Sequence, residues 1–144
     1  MAREAGRSRP LETGGVLMGY WTDSNTAVIS TVVGPGPKAR HERHAFWPDT
    51  TYQDAEIERI YEDSGQQHSY LGDWHTHPNG SVRTSQKDRK TLLSIALSEE
   101  ARAPEPLMAI LGGAGNEWDL AIWVWAGRDL LWKSKVSSAH IEQF

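Results

Sequence analysis

His75 and His77 stand two apart in Trp74-His75-Thr76-His77-Pro78, and Ser85-Gln86-Lys87-Asp88 follows after six residues, Asn79 to Thr84. In an extended chain the side chains alternate faces, so both imidazoles leave one side and Thr76 points to the other. Pro78 cannot donate to a ladder and stops the strand. Ser85 opens what reads as a helix, with Asp88 in its first turn. Two imidazoles and one carboxylate, converging from a strand end and a helix start, make a three-ligand set. Such a set suits Zn²⁺, with the fourth tetrahedral position left to water. It reads as a catalytic zinc site.

Each half also has an ordinary explanation. Ser85-x-x-Asp88 ahead of Leu92, Leu93, Ile95 and Ala96 is a capping-box-like helix start. His-x-His on a strand is compatible with two half-buried histidines. The readings do not compete, because a first-turn residue can cap a helix and still face a metal. Both halves across one short loop favour the site.

Amide hydrolysis also needs a base to take the proton of the attacking water and return it to the leaving amine. The chain has no His-Glu-x-x-His, so the base must come from elsewhere. Glu12 is the candidate, just ahead of Gly14-Gly15 and an apolar run, where glycines allow close backbone approach. Acidic residues before strands are usually solvent-facing, so the residues alone do not bring Glu12 to the histidines.

Glu12-Thr13-Gly14-Gly15-Val16-Leu17-Met18-Gly19, followed by His75-Thr76-His77-Pro78 and Ser85-x-x-Asp88, resembles the JAMM motif of the JAB1/MPN/Mov34 zinc metallopeptidases. The resemblance covers nearly the whole chain. It implies the MPN/JAB (cytidine-deaminase-like) fold and one catalytic Zn²⁺ held by His75, His77 and Asp88. It also implies Glu12 as general base then acid, and Ser85 as hydrogen-bond donor to the oxyanion. The implied activity is hydrolysis of the peptide or isopeptide bond after the C-terminus of ubiquitin or a ubiquitin-like protein. Pro10 to Trp21 and Gly72 to Pro78 are similar to bacterial stand-alone JAB peptidases encoded beside E1- and E2-like enzymes. Those serve antiphage operons (CBASS-type conjugation systems), where such an enzyme deconjugates a tail or matures a precursor. The family's usual first strand and long helix precede the glutamate, and here Met1–Arg7 reads as the tail of that helix. The long catalytic-loop insertion of specialised deubiquitinases is absent, so strong linkage selectivity is not expected.

The totals bound the rest. With 144 residues, 38% of them hydrophobic and 24% charged, the chain reads as one soluble domain spanning 1–144. It has no apolar run of about 18 residues and no signal-peptide core, so no membrane partner is expected. The absence of cysteine excludes disulfides, thiolate zinc sites and a cysteine nucleophile, and fits a cytoplasmic setting. A net charge of −4 gives no general attraction to nucleic acid, and a RadC-like DNA-associated role is set aside on that ground and on the intact Glu12-x-Gly14-Gly15. Arg83, Lys87, Arg89 and Lys90 read as a solvated helix face. A catalytically silent MPN scaffold is the non-enzymatic alternative, and the filled motif argues against it.

The elements that must position these residues form an α+β pattern, a mixed sheet of six or seven strands with two helices packed on it. Val16–Trp21 reads as a buried strand, Asp23-Ser24-Asn25 as a turn and Ala27–Val33 as its hairpin partner. Gly34-Pro35-Gly36-Pro37 opens a polar loop before a short strand at His44–Trp47. Asp49 caps a helix from about Thr50 to Gln66, its stripe drawn from Tyr52, Ala55, Ile57, Ile60 and Tyr61. Tyr70–His75 carries the histidines, and Ser85–Ser98 is the second helix. Leu107–Leu111 and Trp118–Trp125 are strands, and an Ala126-Gly127 turn leads to a partner at Arg128–Val136. Trp123, Trp125 and Trp132 alternate and read as sheet-face packing. His41 and His44 flank the polar loop, on the surface or along a groove for an extended substrate tail.

Overall fold

The computed structural model describes residues 1–113, 117–128, 134–138 and 140. Six strands form one sheet in the order β2-β1-β5-β6-β7-β8: β1 Gly14–Trp21, β2 Ala27–Val33, β5 Ser69–Pro78, β6 Leu107–Gly113, β7 Asp119–Arg128 and β8 Ser134–Ser138. A separate two-stranded ribbon pairs β3 Arg40–His41 with β4 Phe46–Trp47. The helices are α1 Ala2–Ser8, α2 Thr50–Asp63 and α3 Gln86–Ala96. This is the expected mixed α+β sheet, with a third, short helix at the start. No helix among the described residues is long and apolar enough to cross a membrane.

Alternation along the strands divides the core. Leu17, Trp74, Leu107, Ala109 and Leu111 face one side, where Ala5 of α1 is buried among them. Val16, Met18 and Val33 face the other side under Ile60 of α2, and Met108, Ile110 and Trp125 pack there against Leu92 of α3. Burying such aliphatic and aromatic side chains contributes about 1.5–3 kcal/mol each. β1 is buried through six consecutive positions because it has strands on both edges and helices on both faces.

The strand directions bring the candidate residues to one end of the sheet. β5 and β1 are antiparallel, with Gly14 opposite His75 and Gly15 opposite Trp74. The C-terminal end of β5 therefore lies beside the N-terminal end of β1, where Glu12 enters. β5 and β6 are parallel, so a crossover must join them, and α3 is that crossover. Its N-terminus thus opens close to where β5 ends. Asn79, at φ +61°, makes the turn out of β5, a conformation that asparagine tolerates well.

Several boundaries differ from the sequence reading. The strand expected at His44–Trp47 is only Phe46–Trp47, because its partner Arg40–His41 is itself two residues long. The stripe of α2 is rotated, with Gln53 and Ile60 buried but Tyr52 and Ala55 exposed. Gln53 enters the interior because its side-chain amide donates to the Gly34 carbonyl at 3.1 Å. Ala126-Gly127 is not a turn; β7 runs to Arg128 through an irregular register, with Gly127 at φ +82°. Trp132 lies outside the described residues.

Candidate metal centre

His75 and His77 leave β5 on the α2 and α3 side, as the alternation requires, while Trp74 and Thr76 are buried on the other. The indole Nε1–H of Trp74 donates to the Val33 carbonyl at 2.9 Å, and Thr76 is bonded to Thr13. Both packing residues fix the strand that presents the imidazoles.

The two histidine Nε2 atoms lie 3.0 Å apart, and His75 Nε2 is 3.3 Å from Asp88 Oδ1. His77 Nε2 is 3.7 Å from Asp88 Oδ2, and the three residues offer ligand atoms within 4.8 Å of one another. A tetrahedral ion with bonds of about 2.0–2.1 Å spaces its ligand atoms about 3.3 Å apart, so the set has the right dimensions. His77 Nδ1 lies 2.9 Å from the Ser81 carbonyl, which can only accept. Nδ1 therefore carries a proton, and Nε2 is the nitrogen turned toward His75 and Asp88. The donor set fits a metal.

Asp88 is held from behind. Ser85 caps α3, accepting from the Asp88 N–H at 3.2 Å, and Asp88 Oδ2 accepts from the Ser85 N–H at 2.6 Å. The capping-box reading holds, and the cap still leaves Asp88 Oδ1 facing His75. Burial works against the Asp88 charge, but the His75 ring and the Ser85 N–H outweigh it and hold the carboxyl well below the usual range. Ser85 spends a lone pair on the cap, which leaves its hydroxyl proton free to donate into the cleft.

Glu12 lines the same cleft of about 440 Å³ as His75, His77, Ser85 and Asp88. Gly14 makes the approach feasible. A Cβ there would strike the Trp74 carbonyl and sit 3.1 Å from the His75 Cβ. Burial raises the Glu12 carboxyl above its ordinary value, with His75, His77 and Lys87 pulling the other way. All five predicted site residues meet at one place.

The sequence reading missed their supports. Asp73 shares the face of His75 by the same alternation and lines the cleft, with the Tyr70 hydroxyl donating to it at 2.7 Å. Counting back two from His75 would have found it. His44 lines the cleft, whereas His41 bonds the Glu12 carbonyl at 2.9 Å.

The fold is shared with the solution structure of protein DSY2949 from Desulfitobacterium hafniense. That match has a TM-score of 0.69 at 17% identity and covers 99% of this chain and 84% of the other. The chain belongs to the prokaryotic homologs of the JAB domain, which match residues 1–125. It is 45% identical over 125 residues to the probable metalloprotease y4qB of Sinorhizobium fredii, covering 86% of this chain and 76% of that protein. It is also 33% identical over 117 residues to the CD-NTase/cGAS isopeptidase of Enterobacter hormaechei, covering 71% of this chain but only 56% of the relative. Family and relatives together make it a protease of the JAMM type.

Proposed function

We propose that residues 1–144 work as one peptidase domain that hydrolyses the peptide or isopeptide bond after the C-terminus of a ubiquitin-like protein. The metal in this reading is zinc, held by His75, His77 and Asp88. The observation that carries it is the convergence of those three ligand atoms beside a half-buried glutamate in one cleft. The cleft is of the size that admits a single extended chain end rather than a folded domain. The isopeptidase name of one relative supports a conjugated tail as substrate, and with it a place in a bacterial antiphage conjugation system.

When bound, zinc supplies Lewis-acid polarisation of the scissile carbonyl and makes water a nucleophile at neutral pH. Glu12 takes a proton from the attacking water as its oxygen bonds to the carbonyl carbon. The raised affinity of Glu12 for protons suits that step. The Ser85 hydroxyl donates to the carbonyl oxygen as charge grows there, an effect commonly worth about 3 kcal/mol. Glu12 then passes its proton to the leaving nitrogen, the C–N bond breaks, and the new carboxyl group gives its proton to the amine, so that a carboxylate and an ammonium group depart.

The test is a ubiquitin-like domain fused through its C-terminus to a reporter, incubated with zinc-loaded and chelator-stripped protein. Cleavage at the fusion joint, restored by zinc, is expected. A zinc-loaded protein inert toward every such fusion, including those built from ubiquitin-like genes neighbouring its own, would remove the substrate assignment.

A further inference from the structure

Glu12 lies outside any strand, in the segment between α1 and β1, so its half-buried backbone has no ladder to satisfy it. The ribbon supplies what the sheet does not. The Glu12 N–H donates to the Glu42 carbonyl at 2.7 Å, and the Glu42 N–H donates to the Ala45 carbonyl at 2.9 Å, which closes the ribbon turn. On the other side the Glu12 carbonyl lies 2.9 Å from His41 Nδ1. A carbonyl only accepts, so that nitrogen carries the proton.

The donor ring is itself fixed. His41 packs on Phe46 across the ribbon, ring centroids 5.4 Å apart. The edge of Phe46 reaches back to the cleft, 3.0 Å from where a Cβ on Gly14 would stand. A continuous chain of contacts therefore runs from the His75 strand, through Gly14 and Phe46, to His41 and the Glu12 carbonyl. We propose that His41 is a positioning residue for Glu12, its Nδ1–H holding the backbone that carries the base. It touches neither substrate nor metal. Loss of the bond leaves the carboxylate in the cleft with a wider range of positions, and misplacement of about 1 Å is enough to cost a large factor in rate.

The proposal rests on Glu12 being the base, and the variants separate the two ideas. His41→Phe keeps a ring against Phe46 and removes the donor. His41→Asn gives up the ring but places an amide N–H near the position of Nδ1. Both are compared with Glu12→Gln on the zinc-loaded full chain, using a ubiquitin-like domain carrying a C-terminal fluorogenic amide and amide hydrogen exchange at Glu12. H41F is expected to lower kcat roughly tenfold or more with KM within about twofold, and to speed exchange of the Glu12 amide while leaving zinc content intact. H41N is expected to recover most of both readouts.

Wild-type kcat or wild-type Glu12 protection in H41F overturns the proposal, as does loss of zinc in H41F, which would place the effect on the metal cradle. Failure of H41N to rescue while H41F is impaired also overturns it, since the ring rather than the donor would then matter. An active, zinc-loaded E12Q sinks the base assignment itself. A dead E12Q beside a fully active H41F sinks only the role of His41.

Discussion

Thr13 and Thr76 exchange two hydrogen bonds across 63 positions of chain: the Thr13 N–H donates to Thr76 Oγ1 at 3.0 Å, and the Thr76 N–H donates to the Thr13 carbonyl at 2.9 Å. Both residues are fully buried. The clip joins the residue after the proposed base to the residue between the two histidines, so the base and the ligands cannot drift apart independently. Thr76→Val keeps the shape but strands the Thr13 N–H in the interior, which costs about 1–3 kcal/mol. A lower Tm is expected together with a fall in kcat, and Thr76→Ser should restore both. A valine variant with normal Tm and normal turnover would show the bond to Thr76 Oγ1 to be dispensable.

Glu12→Gln should abolish turnover while metal content, read by elemental analysis, stays at the wild-type level. It should also change stability in a pH-dependent way in the metal-free protein. Burial raises the folded-state affinity of Glu12 for a proton above that of the unfolded chain. Below the unfolded value, about pH 4, the group is protonated in both states and the substitution has no electrostatic effect. As pH rises through the folded value the ionised carboxylate becomes a cost to the fold, and E12Q should then melt above the wild type. Zinc should erase that difference, since a cation beside Glu12 favours its charged form. A constant Tm difference from pH 3.5 to 7 would contradict the raised affinity.

Much of this was legible because it rests on short-range rules. Period-two alternation put His75 and His77 on one face and Trp74 and Thr76 on the other, and Ser85-x-x-Asp88 announced a cap whose aspartate meets the two histidines. Asp49 announced α2 in the same way, its side chain accepting from the Tyr52 N–H at 3.2 Å. What stayed hidden depends on register. Nothing local says that Thr13 sits opposite Thr76, or that a two-residue ribbon brings His41 to Glu12. The buried face of α2 was misjudged because Gln53 outranked Tyr52, a polar residue drawn inward by a loop carbonyl that sequence does not display. Gly127 was read as a turn, whereas its positive φ bends β7 without ending it.

Ser85 caps α3, and substitution can separate that role from the proposed oxyanion role. Ser85→Ala removes the cap, costing about 1 kcal/mol of stability, and also removes the proposed oxyanion donor. Ser85→Asp should cap α3 about as well as serine but carries no proton to donate at neutral pH. Its Tm should return toward the wild type while kcat stays low. Recovery of activity by the aspartate would mean that Ser85 acts only through the helix. Asp88→Ala is the contrasting case: it should lose zinc and activity together, and wild-type zinc content there would remove Asp88 from the ligand set.

The loop from Asn79 to Thr84 links the histidine strand to the helix of Asp88, and its rigidity sets how well the proposed ligands stay assembled. Three of its ties bear on His77 and its surroundings. The Asn79 N–H donates to the Gly113 carbonyl at 2.7 Å, His77 Nδ1–H donates to the Ser81 carbonyl at 2.9 Å, and the Trp123 indole N–H donates to the Val82 carbonyl at 2.8 Å. The last tie comes from β7, and the Trp123 ring packs against the cluster that holds Leu92 and Trp125. Trp123→Phe keeps an aromatic ring there and removes only the donor and part of the ring area. Stability should fall by about 1 kcal/mol. Because the tie orients the segment behind His77, zinc should leave faster, by roughly tenfold, as with other groups that steady metal ligands. Transfer of zinc to a chromophoric chelator measures that rate directly. Peptidase kcat at saturating zinc should be unchanged. An unaltered zinc release rate with a lowered Tm would confine Trp123 to packing.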